Sequence, residues 1–463
     1  MARLVARALR LGRSALIQTG TALGRYRLSY LTPALLSPGP VIIASPPLGL
    51  PATLAQLQQR LDTSKEIRSG DWLEADFRGV LLTTPQSWLA DRLHRQGRFP
   101  QNIPTLIEGA DDLEPWTRKQ LEATLEPLDW EKLLYCCPQH VELIRDIRAQ
   151  LTRSILARPQ NPYGCCLLDE AEQQLLHTLF AGLATELSSK VARFWQQWQT
   201  GEQILWASLA RETGNFTLHL SPGEVGTALA PVWTQQPVVL MGSFLDWESE
   251  APTYRQQLGL ADILCLKFSP DRQTEHIQLY LPDRLPMPNT PQFQGALVEQ
   301  VRLLINLSRR PQPIVVLVDD VPLKAQLGAK IAAEFGSRVQ VEKRVPASGI
   351  LVSGWQFWRR HQTQLPTPHL LIIATLPLPS LENPLVAGQV AYYKRQRQDW
   401  FRLYLLPTAL RELQRAVIPI RDSQGVVALL DNRVNHRSYG SQILNALEPC
   451  ARINYLDASW FDL

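Results

Sequence analysis

At 463 residues the chain is long enough to bury a large core and to form two or three domains. A hydrophobic fraction of 45% with 19% charged residues is ordinary for a soluble globular protein, and no run reaches the roughly eighteen apolar residues of a membrane span, so no membrane partner is expected. The net charge of +4 is uneven: the first 61 residues hold seven arginines and no Asp or Glu, and the remainder carries 40 basic against 43 acidic residues.

In chain order, residues 1–24 read as a basic N-terminal arm. Arg3, Arg7 and Arg10 fall on one face of a helix-compatible stretch, which can touch an anion such as DNA or simply be solvated. An Arg-rich, acid-free start also has the composition of a transit peptide. Arg25 and Arg27 already adjoin the folded-looking LSYLTPALLS, however, so the expected location is cytoplasmic. Six cysteines in so long a chain fit a reducing compartment. The adjacent pairs Cys136 with Cys137 and Cys165 with Cys166 are poorer ligand geometry than C-x-x-C, so they are expected in the core or at an interface.

From residue 25, PVIIAS, GVLLTTP and IPTLIEG alternate with helical ATLAQLQQRL and QSWLADRLHR, the pattern of a parallel α/β sheet. Residues 115–212 carry helical spacing with hardly any strand signal and read as a helical insertion. FTLHLSP, QPVVLMGSFLD and ADILCLKFSP return to strand character, so 25–114 and 213–290 form one unit. A second α/β series fills 291–463, through PIVVLVDD, GILVSGWQFW, HLLIIATLP, WFRLYLLP, GVVALLDNRV and ARINYL. Within the first unit, VIIASPPLGLPATLAQL has the strand, turn and helix of a phosphate-binding loop. The lysine is missing and prolines stand where glycines belong.

GWQFWRRH, LLIIATLPLPSLENPLV, RLYLLPTALRELQRA and GVVALLDNRVNHRSYGSQIL occur in that order. Together they resemble the second RecA-like domain of DinG/XPD-type superfamily-two DNA helicases, where the region reads F-W-E-G-x-D, L-P-F-P with D-P, Y-x-x-P-x-A ahead of Q-G-x-G-R-x-I-R, and G-V-V-x-x-L-D-x-R with Y-G. In that register VLLTTPQSWLADRL resembles the strand that ends in N-H-A-L-L, LIEGADDLE resembles the DEAH motif, and TLHLSPGEVGTAL with VVLMGSFLD resembles the approach to T-S-A-T-L. The resemblance covers nearly all of the chain beyond residue 25. It implies an α/β fold of two RecA-like parallel-sheet domains of the P-loop NTPase type, the first interrupted by an arch-like helical insertion.

The same register implies a degraded nucleotide site. Pro46 and Pro51 occupy the two glycine positions, Ala52 the lysine and Thr53 the magnesium-binding hydroxyl, so of that pattern only Gly49 and Thr53 remain. Proline has no N–H, and Pro46, Pro47 and Pro51 therefore remove phosphate donors and turn freedom together. Glu108 stands at the magnesium-binding Asp, Gly109 at the acid that orients the attacking water, where a glycine cannot act as base, and Asp111 at the His; Glu108 can still hold a hydrated magnesium ion, but an exposed acidic loop is the plainer reading. Arg415 and Arg421 are the candidates for charge stabilisation on a γ-phosphate. LLDEAEQQ, with Asp169, Glu170 and Glu172, mimics the acidic motif but reads as a helix start. No cysteine lies between Thr53 and Ile107, so the family's iron–sulfur cluster is not expected, nor any other metal.

Trp358, Arg359 and Arg360, beside Trp355, and Lys394, Arg395 and Arg397, beside Tyr392, Tyr393 and Trp400, mix cations with stacking surfaces as single-strand binders do. The alternative is a core role for the aromatics and solvated cations. The expectation is thus a helicase-family protein that binds single-stranded or forked DNA, and also a protein partner, with ATP hydrolysis lost or impaired and no cofactor. Two alternatives stand beside it: an active ATP-dependent, magnesium-using helicase, and a scaffold that binds neither ATP nor DNA.

Overall fold

The computed structural model describes residues 1–463 except 47–48, 73–75, 184–186, 270–275, 309–311, 458 and 463. VIIA, TLIE and VVLMG are strands buried along their whole length, as a parallel sheet covered on both faces demands. They belong to a seven-stranded sheet in the order Leu264–Lys267, Ala15–Gln18, Val238–Gly242, Thr105–Glu108, Val41–Ala44, Val80–Thr83, Ile67–Ser69. Every pairing in it is parallel. Helices Ala2–Leu11, Arg27–Leu36 and Leu50–Leu61 cover one face, where Val5, Leu31 and Leu54 pack with Ile17 and Ile43. Helices Pro85–His94, Leu113–Leu121, Gly226–Gln235 and Pro252–Leu258 cover the other, with Trp88, Leu113 and Leu229 against Ile42 and Ile107.

The N-terminal segment is therefore no loose arm. Val5, Ala8 and Leu9 are buried against the neighbouring helix, and Ala15–Gln18 is an inner strand paired on both sides. Its arginines draw attention to charge, but the apolar stripe between them does the packing.

The insertion enters after Thr105–Glu108 and leaves before Val238–Gly242. Its helices Pro127–Cys136, Val141–Ala157, Glu170–Gly182 and Ser189–Gln199 pack around Ile144, Leu151, Phe180 and Phe194. It also holds an antiparallel sheet that the helical reading missed, in the order Ala123–Leu125, Asn215–Pro222, Gln203–Ala210, Cys165–Leu167. FTLHLSP lies here and not in the first parallel sheet. Its residues alternate between buried and half-buried, the mark of a sheet with one face on a core.

The second parallel sheet runs Val339–Val341, Ile350–Ser353, Ile314–Leu317, Leu370–Ile373, Val426–Leu429, Ile277–Tyr280, Cys450–Ile453. Ile277–Tyr280 pairs with Val426–Leu429 and Cys450–Ile453, so it belongs to this domain although it precedes residue 291. WFRLYLLP is not a strand. Phe401–Leu405 is a π-helical turn that feeds helix Leu406–Ser423.

Helix Pro384–Arg395 of the second domain docks on the insertion. A Cβ added at Gly388 would lie 2.8 Å from Ile204 Cγ2 and 2.9 Å from Leu167 Cδ2, and one at Gly223 would lie 2.2 Å from the Tyr392 ring. Gln389 Nε2 donates to the Gly223 carbonyl at 2.5 Å. The absent side chains are what permit this approach.

Candidate functional site

The expected phosphate-binding turn is described at its two ends. Strand Val41–Ala44 ends at Ser45 and Pro46, Gly49 adopts φ 66°, and helix Leu50–Leu61 starts with Pro51 in its first turn. Pro47 lies outside the described residues. Gly49, Ala52 and Thr53 stand at the helix start as expected, but the Thr53 hydroxyl donates back to the Gly49 carbonyl at 3.2 Å and its amide does so at 3.3 Å. Ala52 has no side chain that reaches beyond the turn.

Glu108 closes the corner between this loop and the adjacent strand. It is 1% exposed, at the end of Thr105–Glu108. Arg27 donates from Nε to its Oε1 at 3.1 Å and from an Nη to its Oε2 at 3.3 Å, and the Ser45 hydroxyl donates to Oε2. Burial opposes the Arg27 charge, but Glu108 outweighs it and raises the guanidinium above its ordinary value. Burial, aided by the Glu108 carboxylate, also pushes the Tyr30 phenol far up.

Gly109 has φ 80°, a left-handed conformation that suits glycine. A Cβ there would sit 3.1 Å from the Trp116 ring and 3.7 Å from Pro46 Cγ. Asp111 is 2% exposed and accepts from the Ser243 amide at 2.9 Å, the Ser243 hydroxyl at 2.7 Å and the Phe244 amide at 2.8 Å. Glu108 and Asp111 are thus interior hydrogen-bond acceptors rather than parts of an exposed loop. Asp111 ties its own turn to the one after Val238–Gly242.

The two candidate arginines separate. An Arg415 Nη donates to Asp112 at 3.0 Å across the domain boundary and a second to Glu412 at 3.4 Å. Burial opposes its charge, yet Asp112 and Asp111 raise it. Arg421 is 1% exposed and donates to the carbonyls of Leu447, Glu448 and Pro449 at 2.8, 2.9 and 3.2 Å. It anchors the end of helix Gly440–Leu447 inside the second domain, so its expected place on a γ-phosphate is corrected.

Among the nucleic-acid candidates, Trp358 is 1% exposed within the second domain's core. Trp355 is buried beside it, and Tyr392 packs against Gly223. Arg359 pairs with Glu412 at 3.2 Å, and Arg395 with Glu202 at 3.2 Å. Arg360, Lys394 and Arg397 point to solvent, Lys394 with its ammonium 5.5 Å above the Trp400 ring. A cleft of about 1040 Å³ runs between both parallel-sheet domains and the insertion, with His94, Lys190, Arg193, Glu202, Tyr392 and Gln396 among its walls.

Residues 365–450 match the model of the helicase C-terminal domain family. The ATP-dependent DNA helicase YoaA of Escherichia coli (strain K12) is 24% identical over 393 residues, which cover 76% of this chain; the chain spans 60% of that relative's length. Xpd4 of S. tokodaii superimposes with a TM-score of 0.63 at 13% identity over 97% of this chain and 98% of its own. An XPD helicase structure does so at 0.64 and 11% identity, over 98% of each chain. The chain is thus similar to DinG/XPD-type superfamily-two helicases, in sequence through YoaA and the C-terminal domain match and in fold through the XPD structures. Its two parallel sheets are the RecA-like pair of that fold.

Reading the DinG/XPD-type motifs in sequence left four participants unassigned. Arg27 and Ser45 complete the Glu108 corner, Trp116 covers Gly109, and Arg411 lies buried between the domains near Glu114, Gln256 and Tyr404. Ser45, directly after its strand, was the one with a readable signal. Asp169 caps helix Glu170–Gly182 in a reciprocal pair with Glu172, as its helix-start reading expected. Among the described residues no three His, Cys, Asp or Glu side chains gather as a metal site.

Proposed function

We propose that this DinG/XPD-type chain binds nucleic acid and has lost, or nearly lost, ATP hydrolysis and unwinding. The observation that carries the reading is the Glu108 corner: a carboxylate needed for magnesium is already neutralised by Arg27 and hydrogen-bonded by Ser45. Around it stand Ala52 in place of an ammonium, prolines in place of amide donors, and a glycine under Trp116 in place of the catalytic acid. These residues do not fit a magnesium triphosphate. Loss of one positioned donor or charge at such a site costs about 2.7 to 4 kcal/mol of transition-state stabilisation, and here several are absent together. For nucleic acid, support comes from the outward cations Arg360, Lys394 and Arg397 and from the cleft between the three units.

The test is titration of the purified protein with labelled ATP and with single-stranded and forked DNA, while phosphate release is followed. Salt-sensitive DNA binding that is indifferent to ATP supports the proposal. DNA-stimulated phosphate release would make the chain an active helicase, and absence of both binding events would make it a scaffold.

A further inference from the structure

Helices Ala2–Leu11, Arg27–Leu36 and Leu50–Leu61 form the layer on one face of the first sheet. The stretch from residue 1 to 61 that builds this layer has seven arginines and no carboxylate, whereas the rest of the chain is slightly acidic. One of the seven, Arg27, turns inward to Glu108. Arg3, Arg7, Arg10 and Arg13 are all exposed, and among the described residues no side chain pairs with any of the four. Val5, Ala8 and Leu9 hold the opposite side of their helix in the core, and Gly12 ends it at φ 59°. The row is therefore fixed on a folded support.

We infer that this arginine face is a docking surface for a nucleic-acid backbone, separate from the cations of the second domain. The inference rests on the nucleic-acid reading above. Arg3, Arg7 and Arg10 lie within about 60° of arc and rise about 5 Å apart along the helix. That spacing lets each guanidinium address its own phosphate on a strand with one charge per roughly 3.4 Å of axis. Guanidinium groups also bind phosphate in bidentate fashion. A folded protein partner would call for an apolar centre, but Leu11, at the helix end, is the only large exposed apolar side chain on this helix. A helix that carries exposed arginines and no carboxylate sets up a local field of one sign, which draws in a polyanion and does not select a base sequence.

The test compares wild-type protein with R3Q/R7Q/R10Q/R13Q, R3K/R7K/R10K/R13K and R360Q/K394Q/R397Q, titrated with a 20-base single strand, a 20-base-pair duplex and polyglutamate across a salt series. The four Gln substitutions should lower the slope of log affinity against log salt by about 3 for nucleic acid, and affinity at 0.1 M salt by a hundredfold or more. Thermal unfolding should not change, because all four side chains face solvent, and the Lys variant should keep the slope. If the Gln variant keeps the wild-type slope while R360Q/K394Q/R397Q loses it, the arginine face is overturned and the nucleic-acid reading stands. If the wild type binds neither strand at low salt, both fall. If the Gln variant weakens polyglutamate as much as nucleic acid, the face is a general anion surface and the inference is overturned.

Discussion

Arg27, near the start of one helix, donates two hydrogen bonds to Glu108 at the end of a strand 81 residues away, with the carboxylate 1% exposed. Removal of the cation alone strands a buried charge. Arg27→Met is therefore expected to destabilise the first domain by about 3–5 kcal/mol, and R27M/E108L to recover most of that. The midpoint of urea unfolding distinguishes them; equal losses in the two variants would show that the pair itself contributes little.

On the proposed reading, adding a lysine and a glutamate at the two motif positions should not yield ATP hydrolysis. In A52K/G109E the prolines still withhold their amides and Arg27 still holds Glu108. The new glutamate also has to adopt φ 80° with its Cβ 3.1 Å from Trp116. Phosphate release is expected to stay at background, with a lowered melting temperature. A DNA-dependent rise in phosphate release would contradict the closed-corner account.

Arg421 and Arg415 should fail in different ways. Arg421→Ala removes a charged donor from three carbonyls in the second domain's interior, and hydrogen bonds to charged groups are worth roughly 1.5–3 kcal/mol each. Global unfolding should come earlier by at least about 3 kcal/mol.

Arg415→Ala breaks a link between domains and leaves each core intact. The expected result is faster proteolytic cleavage between the parallel-sheet domains with little change in unfolding midpoint. Asp112→Asn should reproduce it, and opposite behaviour of the two variants would deny the pairing.

Asp129 gives a pH signature in the insertion. Burial alone would raise its carboxyl, but Lys190 at 2.5 Å and the Glu126 amide at 2.9 Å outweigh it and hold the value below the ordinary 3.8. A depressed carboxyl contributes fully above its unfolded value and loses that contribution as pH falls through the folded one. Asp129→Asn should thus destabilise by about 1 kcal/mol at pH 7. Its unfolding curve should converge with the wild type's as pH drops below about 4. A difference that persists at pH 2 would place the effect elsewhere.

Much of this molecule was legible in one dimension. VIIA, VVLM and LLII are apolar without interruption, as strands covered on both faces require, and the ordered C-terminal motifs carried the resemblance to DinG/XPD-type helicases before any geometry. The gaps at Ala52 and Gly109 were equally plain, because absence of an ammonium or carboxylate is a covalent fact. Harder to read were FTLHLSP and IQLY, since a short strand's composition does not say which sheet it joins.

What the sequence determined alone is chemical inventory and local period: the long buried strands and the amphipathic helices, and which groups of the phosphate-loop and DEAH patterns are absent. Tertiary structure decided what the surviving groups do. Arg27 and Glu108, Asp112 and Arg415, and Gly223 and Tyr392 are far apart along the chain, and hydrogen bonds and close packing act over a few ångströms in space. Their pairing follows from how the sheets and the insertion come together, which no local pattern encodes.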